Sequence, residues 1–185
     1  WYAPNNATLV IAGDVDPEEV YNLTKKHFAA IPKRTIAALK PRDEAPQLGP
    51  RRVVVRAPAK VPYVLMGYKA PVLKTAAEKW EPYALEMLAS VLSASRSSRF
   101  SKILVRDKHI AIDASAGYNM HSMYDERFMV DATPAPGKTV EEVEQALREQ
   151  LNRLKTEKVS DAELERIKAQ VIANDVYEKD SVFYQ

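Results

Sequence analysis

After residue 50 the hydrophobic residues of this chain switch between two rhythms, and the switches come in pairs. Two strand-like segments are followed by two helix-like ones, then by two more strands and two more helices. Strands adjacent in sequence pair antiparallel through short connections, and helices grouped between such pairs bury their apolar stripes against a sheet face. The expected fold class is therefore α+β: a largely antiparallel sheet with helices packed on one face.

The first strand pair is read at Arg51–Ala57 and Val61–Lys69, separated by Pro58 and Pro62. Trp80, Tyr83, Ala84, Met87, Leu88, Val91 and Leu92 recur at intervals of three and four, the spacing of an amphipathic helix. A serine-rich break at Ser93–Ser98 precedes a short helix that carries Phe100, Ile103 and Leu104. Ile110, Ile112, Ala114, Ala116 and Tyr118 alternate with small or polar residues, which marks a half-buried strand. Phe128, Val130 and Ala132 repeat that alternation. Two helical stripes finish the chain, Val140–Leu154 and Leu164–Val171, the second opened by a capping box of Ser160 and Glu163.

Ahead of this block, Thr8–Gly13 is an apolar run stopped by glycine, the pattern of a buried strand. Asp16 then suits an N-cap, Pro17 the first helical position and Glu19 the capping-box position. Val20, Leu23, His27 and Phe28 mark one face of the helix that follows. Between Ile31 and Pro50 lie four prolines and no helical period, so this stretch reads as an extended linker.

Composition narrows the function classes. A net charge of +2, from 27 basic and 25 acidic residues, gives no bulk attraction to nucleic acid or anionic membrane. The apolar runs are strand-sized, too short for a bilayer-spanning helix. There is no cysteine, which removes disulfides, thiol nucleophiles and thiolate metal ligands without fixing a compartment.

The residues offer little catalytic chemistry of their own. His27, His109 and His121 are the three histidines, and none sits in a His-x-x-Glu-His motif. His109 and His121 each have an aspartate four residues on, Asp113 and Asp125, but at a strand entry that spacing gives no shared face. His27 suits a helix end, where it caps carbonyls or packs. Asp14 and Asp16 are better explained by turn and cap than by a cation, and Ser93–Ser98 by helix capping than by phosphate. No Gly-x-Ser-x-Gly elbow exists to support a serine hydrolase.

Three ordered motifs carry a resemblance. The opening matches a Tyr-Tyr-x-Pro-x-Asn-x-x-Leu-hydrophobic-x-x-Gly-Asp-hydrophobic signature at Tyr2, Pro4, Asn6, Leu9, Gly13, Asp14 and Val15. Ser97-Ser98-Arg99-Phe100 is similar to a Ser-Ser-Arg-Leu motif, with Val105-Arg106-Asp107 standing for a following Leu-Arg-Glu. Asp161–Lys168 is similar to a Glu-Glu-Leu-Glu-x-x-Lys helix start. Together they resemble the pitrilysin/insulinase family of zinc metallopeptidases, which includes the mitochondrial processing peptidases.

The resemblance implies two homologous α+β repeats facing each other across a closed chamber, with zinc bound by His-x-x-Glu-His in the first. Residues 1–30 would then be the terminal strand and helix of a preceding repeat, 31–50 the linker, and 51–185 most of a second, non-zinc repeat. The chain alone is expected to bind no zinc and to be inactive. It would close the chamber and hold peptide substrate for the zinc-bearing repeat of a parent endopeptidase. The alternative is a noncatalytic partner subunit or scaffold of the same fold.

By the same resemblance Arg106 and a tyrosine on the next strand would reach the substrate carbonyl. Ile112 occupies that tyrosine's place, leaving Tyr118 as a displaced substitute, expected on the same strand face as Ile112. Ile110–Tyr118 and the turn after it either line the chamber or form a solvated sheet face. Thr8–Gly13 is expected to complete the chain's own sheet or a neighbour's, a domain-swapped homodimer being one outcome. A bacterial periplasmic or cytoplasmic location fits the family, with neither nucleic acid nor membrane as a partner.

Overall fold

The computed structural model describes residues 1–40, 45–181 and 183, and the chain divides into two compact units. Arg56–Asn174 forms one; Trp1–Val55 with Asp175–Gln185 forms the other.

In the larger unit, three strands make an antiparallel sheet: β1 (Val64–Ala70), β2 (Ala111–Gly117) and β3 (Glu126–Pro134), in the order β1-β3-β2. β3 is central and alternates cleanly, with Phe128, Val130 and Ala132 buried between partly exposed neighbours. One face of the sheet is covered by helices α2 (Glu81–Ser93) and α3 (Val140–Thr156), and by a π-helix at Phe100–Asp107. Leu92, Phe100, Leu104, Val143 and Leu147 are each fully buried and share one core with Val64, Ala111, Ala114 and the β3 residues. The architecture is the expected α+β sheet with helices on one face.

Two helices are capped by their own sequence neighbours, although Glu19 returns no capping-box bond to Asp16 among the described residues. Thr139 Oγ1 accepts from the Glu142 N–H, and Glu142 returns a bond to the Thr139 N–H, a complete capping box for α3. In the smaller unit, Asp16 Oδ1 accepts from the N–H groups of Glu18 and Glu19 at 2.8 and 2.9 Å, opening α1 (Pro17–Phe28).

Four expectations are corrected. Thr8–Gly13 and Arg51–Ala57 lie in no strand; Leu9, Val10 and Ile11 are exposed, as are Val53, Val54 and Val55. Their composition suits a strand, but a strand exists only where a ladder partner is in place. The stripe on α2 stops short of its first turn, where Trp80 and Tyr83 are exposed. Pro82, Val91 and Leu92 are the buried positions there.

The serines do not cap the π-helix. Ser98 Oγ accepts from the Ser95 N–H at 2.8 Å and so closes the turn between α2 and the π-helix. Finally, β2 carries a bulge: Ala111 pairs with Pro134 and Asp113 with Thr133, which leaves Ile112 as the extra residue. A bulge reverses which side chains face in. Ala111 and Ala114 are buried while Ile112 is 55% exposed, so Ile112 and Tyr118, which packs against the core, do not share a face.

Between Ile31 and Pro50 the described residues hold no helix or strand, and Pro41–Glu44 lie outside the described residues. α4 (Asp161–Glu178) follows α3 and buries Ile167.

Candidate functional site

The second and third motifs meet. Arg99, at the mouth of the π-helix, donates through Nε to Glu163 Oε1 at 3.1 Å and through Nη2 to Oε2 at 2.8 Å. Arg166, one turn along α4, returns the link by donating to Ser97 Oγ at 2.9 Å. The fork geometry of guanidinium against carboxylate makes this a directional joint rather than a loose ion pair. Bonding to Arg99 holds the Glu163 carboxyl below the usual carboxylate range, against partial burial. Glu163 is not a full capping-box member: its N–H reaches Ser160 Oγ at 3.3 Å, but its carboxylate is committed to Arg99.

These groups line an open cleft of about 730 Å³, shared with Lys102, Asp107, Arg153 and Glu157. Its charges are largely answered from within, since Arg153 pairs with Glu157 at 2.9 Å as Arg99 does with Glu163. The cleft reads as a buttress for the π-helix.

Arg106 stands at the far end of that helix, exposed, its side chain with no hydrogen bond or ion pair among the described residues. The chain reverses just beyond it. His109 adopts φ +50°, the left-handed region, and the Ile110 N–H bonds the Leu104 carbonyl at 2.9 Å. Tyr118 is differently placed. Its hydroxyl donates to the Pro71 carbonyl, and its ring stacks on Phe128 with centroids 6.4 Å apart. Burial, and then the carboxylates of Glu86, Glu81, Asp125 and Glu126, raise its pKa. The structure thus leaves Arg106 available and Tyr118 engaged.

On the open sheet face Tyr63 hydrogen-bonds Asp131, which also accepts from Ser115 Oγ at 2.5 Å. Partial burial, that bond and the charges of Asp131 and Asp113 push the Tyr63 phenol up to about 12. Neither this network nor the Arg99–Glu163 joint is signalled by local spacing, because each joins residues far apart in sequence.

The zinc that the resemblance implies does not fit this chain. Among the described residues no group of three or more His, Cys, Asp or Glu is arranged to hold a metal. His27, His109 and His121 are all exposed, and Asp125 accepts from Thr75 Oγ1 instead. Among the described residues no helix is long and apolar enough to cross a membrane.

Residues 1–171 match the family described as the Peptidase M16 inactive domain, and the chain belongs to that family. It is 29% identical over 171 residues to the zinc protease PqqE of Helicobacter pylori, a match covering 91% of this chain and 37% of that protein. The crystal structure of a protease from Helicobacter pylori superposes with a TM-score of 0.79 at 29% identity. That superposition covers 93% of this chain and 41% of the other. The chain therefore spans less than half the length of these relatives.

Proposed function

We propose that this chain is the non-zinc portion of a zinc metalloendopeptidase. It closes the peptide chamber and holds extended substrate while a zinc-bearing repeat performs the hydrolysis. The match of residues 1–171 to an inactive peptidase domain, in a chain without His-x-x-Glu-His, carries the reading. Arg106 is the group through which the chain touches substrate. A free guanidinium at a buttressed helix end presents donors to a peptide carbonyl at no cost in broken ion pairs. Tyr118, its hydroxyl already given to Pro71, orders the strand and loop and leaves the substrate to Arg106.

The test uses the parent protein and an unstructured peptide. Arg106→Ala is expected to lower kcat/KM by about 10- to 100-fold, below the loss typical of a full oxyanion donor, with the melting temperature unchanged. The 185-residue chain with added Zn²⁺ is expected to leave the peptide intact. Chelator-sensitive cleavage by the chain alone overturns the proposal.

A second reading, a noncatalytic partner subunit of the same fold, has one observation in its favour. Ile112, standing where the resemblance expects tyrosine, is an exposed bulge residue with no polar side-chain atom to offer substrate. Metal analysis of the purified parent separates the two readings: one zinc per chain supports the first, none the second.

A further inference from the structure

Between Phe100 and Asp113 the backbone departs from regular geometry three times. Phe100–Asp107 is a π-helix, His109 is the one non-glycine residue with positive φ among the described residues, and Ile112 is a β-bulge. Each of these features is found disproportionately at functional sites, where it re-aims a side chain. All three are held by hydrogen bonds within the larger unit. The Lys108 N–H bonds the Ile103 carbonyl at 3.0 Å, the Ile110 N–H the Leu104 carbonyl at 2.9 Å, and the Ala135 N–H the Ile110 carbonyl at 2.9 Å.

Most side chains of this segment are already accounted for. Leu104 and Ala111 are buried and Ile110 packs against the core. Lys108 meets Glu149 of α3 at 3.7 Å. Asp113 lies over the open sheet face, near enough for its charge to act on the Tyr63 phenol. Arg106 is free, and Ile112, 55% exposed, is the one apolar side chain left exposed from Arg106 to Ala116. The fold needs an extra residue at the bulge so that Ala111 and Ala114 both face the core, but it does not need an apolar one. The direction of the bulge is also fixed. Farther along β2, Ser93 Oγ at the end of α2 donates to the Ala116 carbonyl and accepts from the Ala116 N–H, both at 2.9 Å. That clamp holds β2 on one side while β3 holds it on the other.

We propose that Ile112 sets a preference for an apolar side chain in the peptide substrate, at a residue close to the carbonyl that Arg106 holds. The assignment rests on the peptidase reading of this chain. Arg106 stands at the end of the π-helix and Ile112 at the start of β2, and the reversal pinned by Ile110 and Leu104 keeps both beside one turn. An extended peptide advances about 3.3 Å per residue and alternates its side chains, so a chain bonded to Arg106 brings a nearby side chain to Ile112. Contact there takes apolar surface of both partners out of water, which a serine side chain cannot match. Arg106 serves every sequence alike, because it meets the main chain; Ile112 ranks one sequence against another.

The parent protein is assayed on unstructured peptides that share one cleaved bond and carry leucine or serine at each flanking position in turn. At one position leucine is expected to raise kcat/KM over serine by about tenfold. Ile112→Thr keeps the β-branched shape that a strand accepts and is expected to cut that ratio by about three- to tenfold, the loss falling on the leucine peptide. Ile112→Val is expected to restore most of it. Arg106→Ala is expected to slow both peptides by one factor and leave the ratio as it was. An unchanged ratio in Ile112→Thr, or a loss shared equally by the leucine and serine peptides, overturns this assignment and leaves the proposed function standing. A parent that cleaves no peptide overturns the proposed function, and the assignment with it.

Discussion

Arg99 and Glu163 are 64 residues apart in sequence and bonded by two parallel N–H···O contacts, Nε to Oε1 and Nη2 to Oε2. Their side chains are only 16% and 18% exposed, so the pair is shielded far more than a surface ion pair. Arg166 to Ser97 crosses the same gap in the opposite sense. The Ser-Ser-Arg and Glu-Leu-Glu motifs are thus two halves of one joint, which binds the start of α4 to the start of the π-helix. At the other end of the π-helix stands Arg106. In the proposed function the motif residues act through placement, holding the helix whose tip meets substrate.

Glu163→Gln removes the charge while keeping the shape, and leaves Arg99 partly buried beside a neutral amide. A loss of about 1–2 kcal/mol of unfolding free energy is expected in urea titration, in line with a charge-assisted bond. Arg99→Lys keeps the charge but loses the fork, so it is expected to recover only part of that stability. A double-mutant cycle in which the two changes simply add would show that the joint contributes nothing.

The same pair has a pH signature. Bonding to Arg99 depresses the Glu163 pKa in the folded state, so the folded chain binds that proton less readily than the unfolded chain. The stabilisation is fully present above the unfolded value, roughly 4.3, and is lost as pH falls through the folded one. Stability measured between neutrality and acid is expected to decline less in Glu163→Gln than in the natural chain. Equal slopes in the two proteins would remove Glu163 from the acid response.

Ser93→Ala deletes two hydrogen bonds at once and uncovers the Ala116 main chain. About 1–2 kcal/mol of destabilisation is expected. Hydrogen exchange gives the sharper readout: the Ala116 amide should lose protection while Val130 and Met66, inside the sheet, keep theirs. Unchanged exchange at Ala116 would mean that the β2 edge is protected by something other than Ser93.

What the sequence made legible is what local pattern controls. The β3 alternation of Phe128, Val130 and Ala132 appears as read, because a central strand with one face in the core leaves no freedom in register. The Asp16 cap, the α3 stripe and the α+β order are likewise set by neighbours in sequence. Ile112 departs from the expected face because the bulge sets it apart from Ala114, Ala116 and Tyr118, which stay on the core side, and hydropathy carries no mark of the insertion. Thr8–Gly13 and Arg51–Ala57 depart from the strand expectation for a different reason: apolar composition reports a willingness to pair, while the partner is set by the rest of the fold. Glu163 was legible as a helix-start residue, but its carboxylate answers to an arginine 64 positions away.

His109 tests whether the histidines are structural. Its φ of +50° places a branched-ring L-residue in the left-handed region, where the chain leaves the π-helix and turns into β2. Glycine occupies that region without a Cβ penalty, whereas a β-branched residue is strongly disfavoured there. His109→Gly is therefore expected to match or exceed the natural chain in stability, by up to about 1 kcal/mol once the added unfolded-state freedom offsets part of the relief. His109→Val is expected to lose about 1–2 kcal/mol at the same site. The imidazole itself is exposed, so neither change removes packing, and the ordering of the three proteins in a thermal melt isolates the backbone. If glycine were the least stable of the three, the His109 side chain would be making a contact that its exposure and backbone do not require, and its role would have to be sought in the ring.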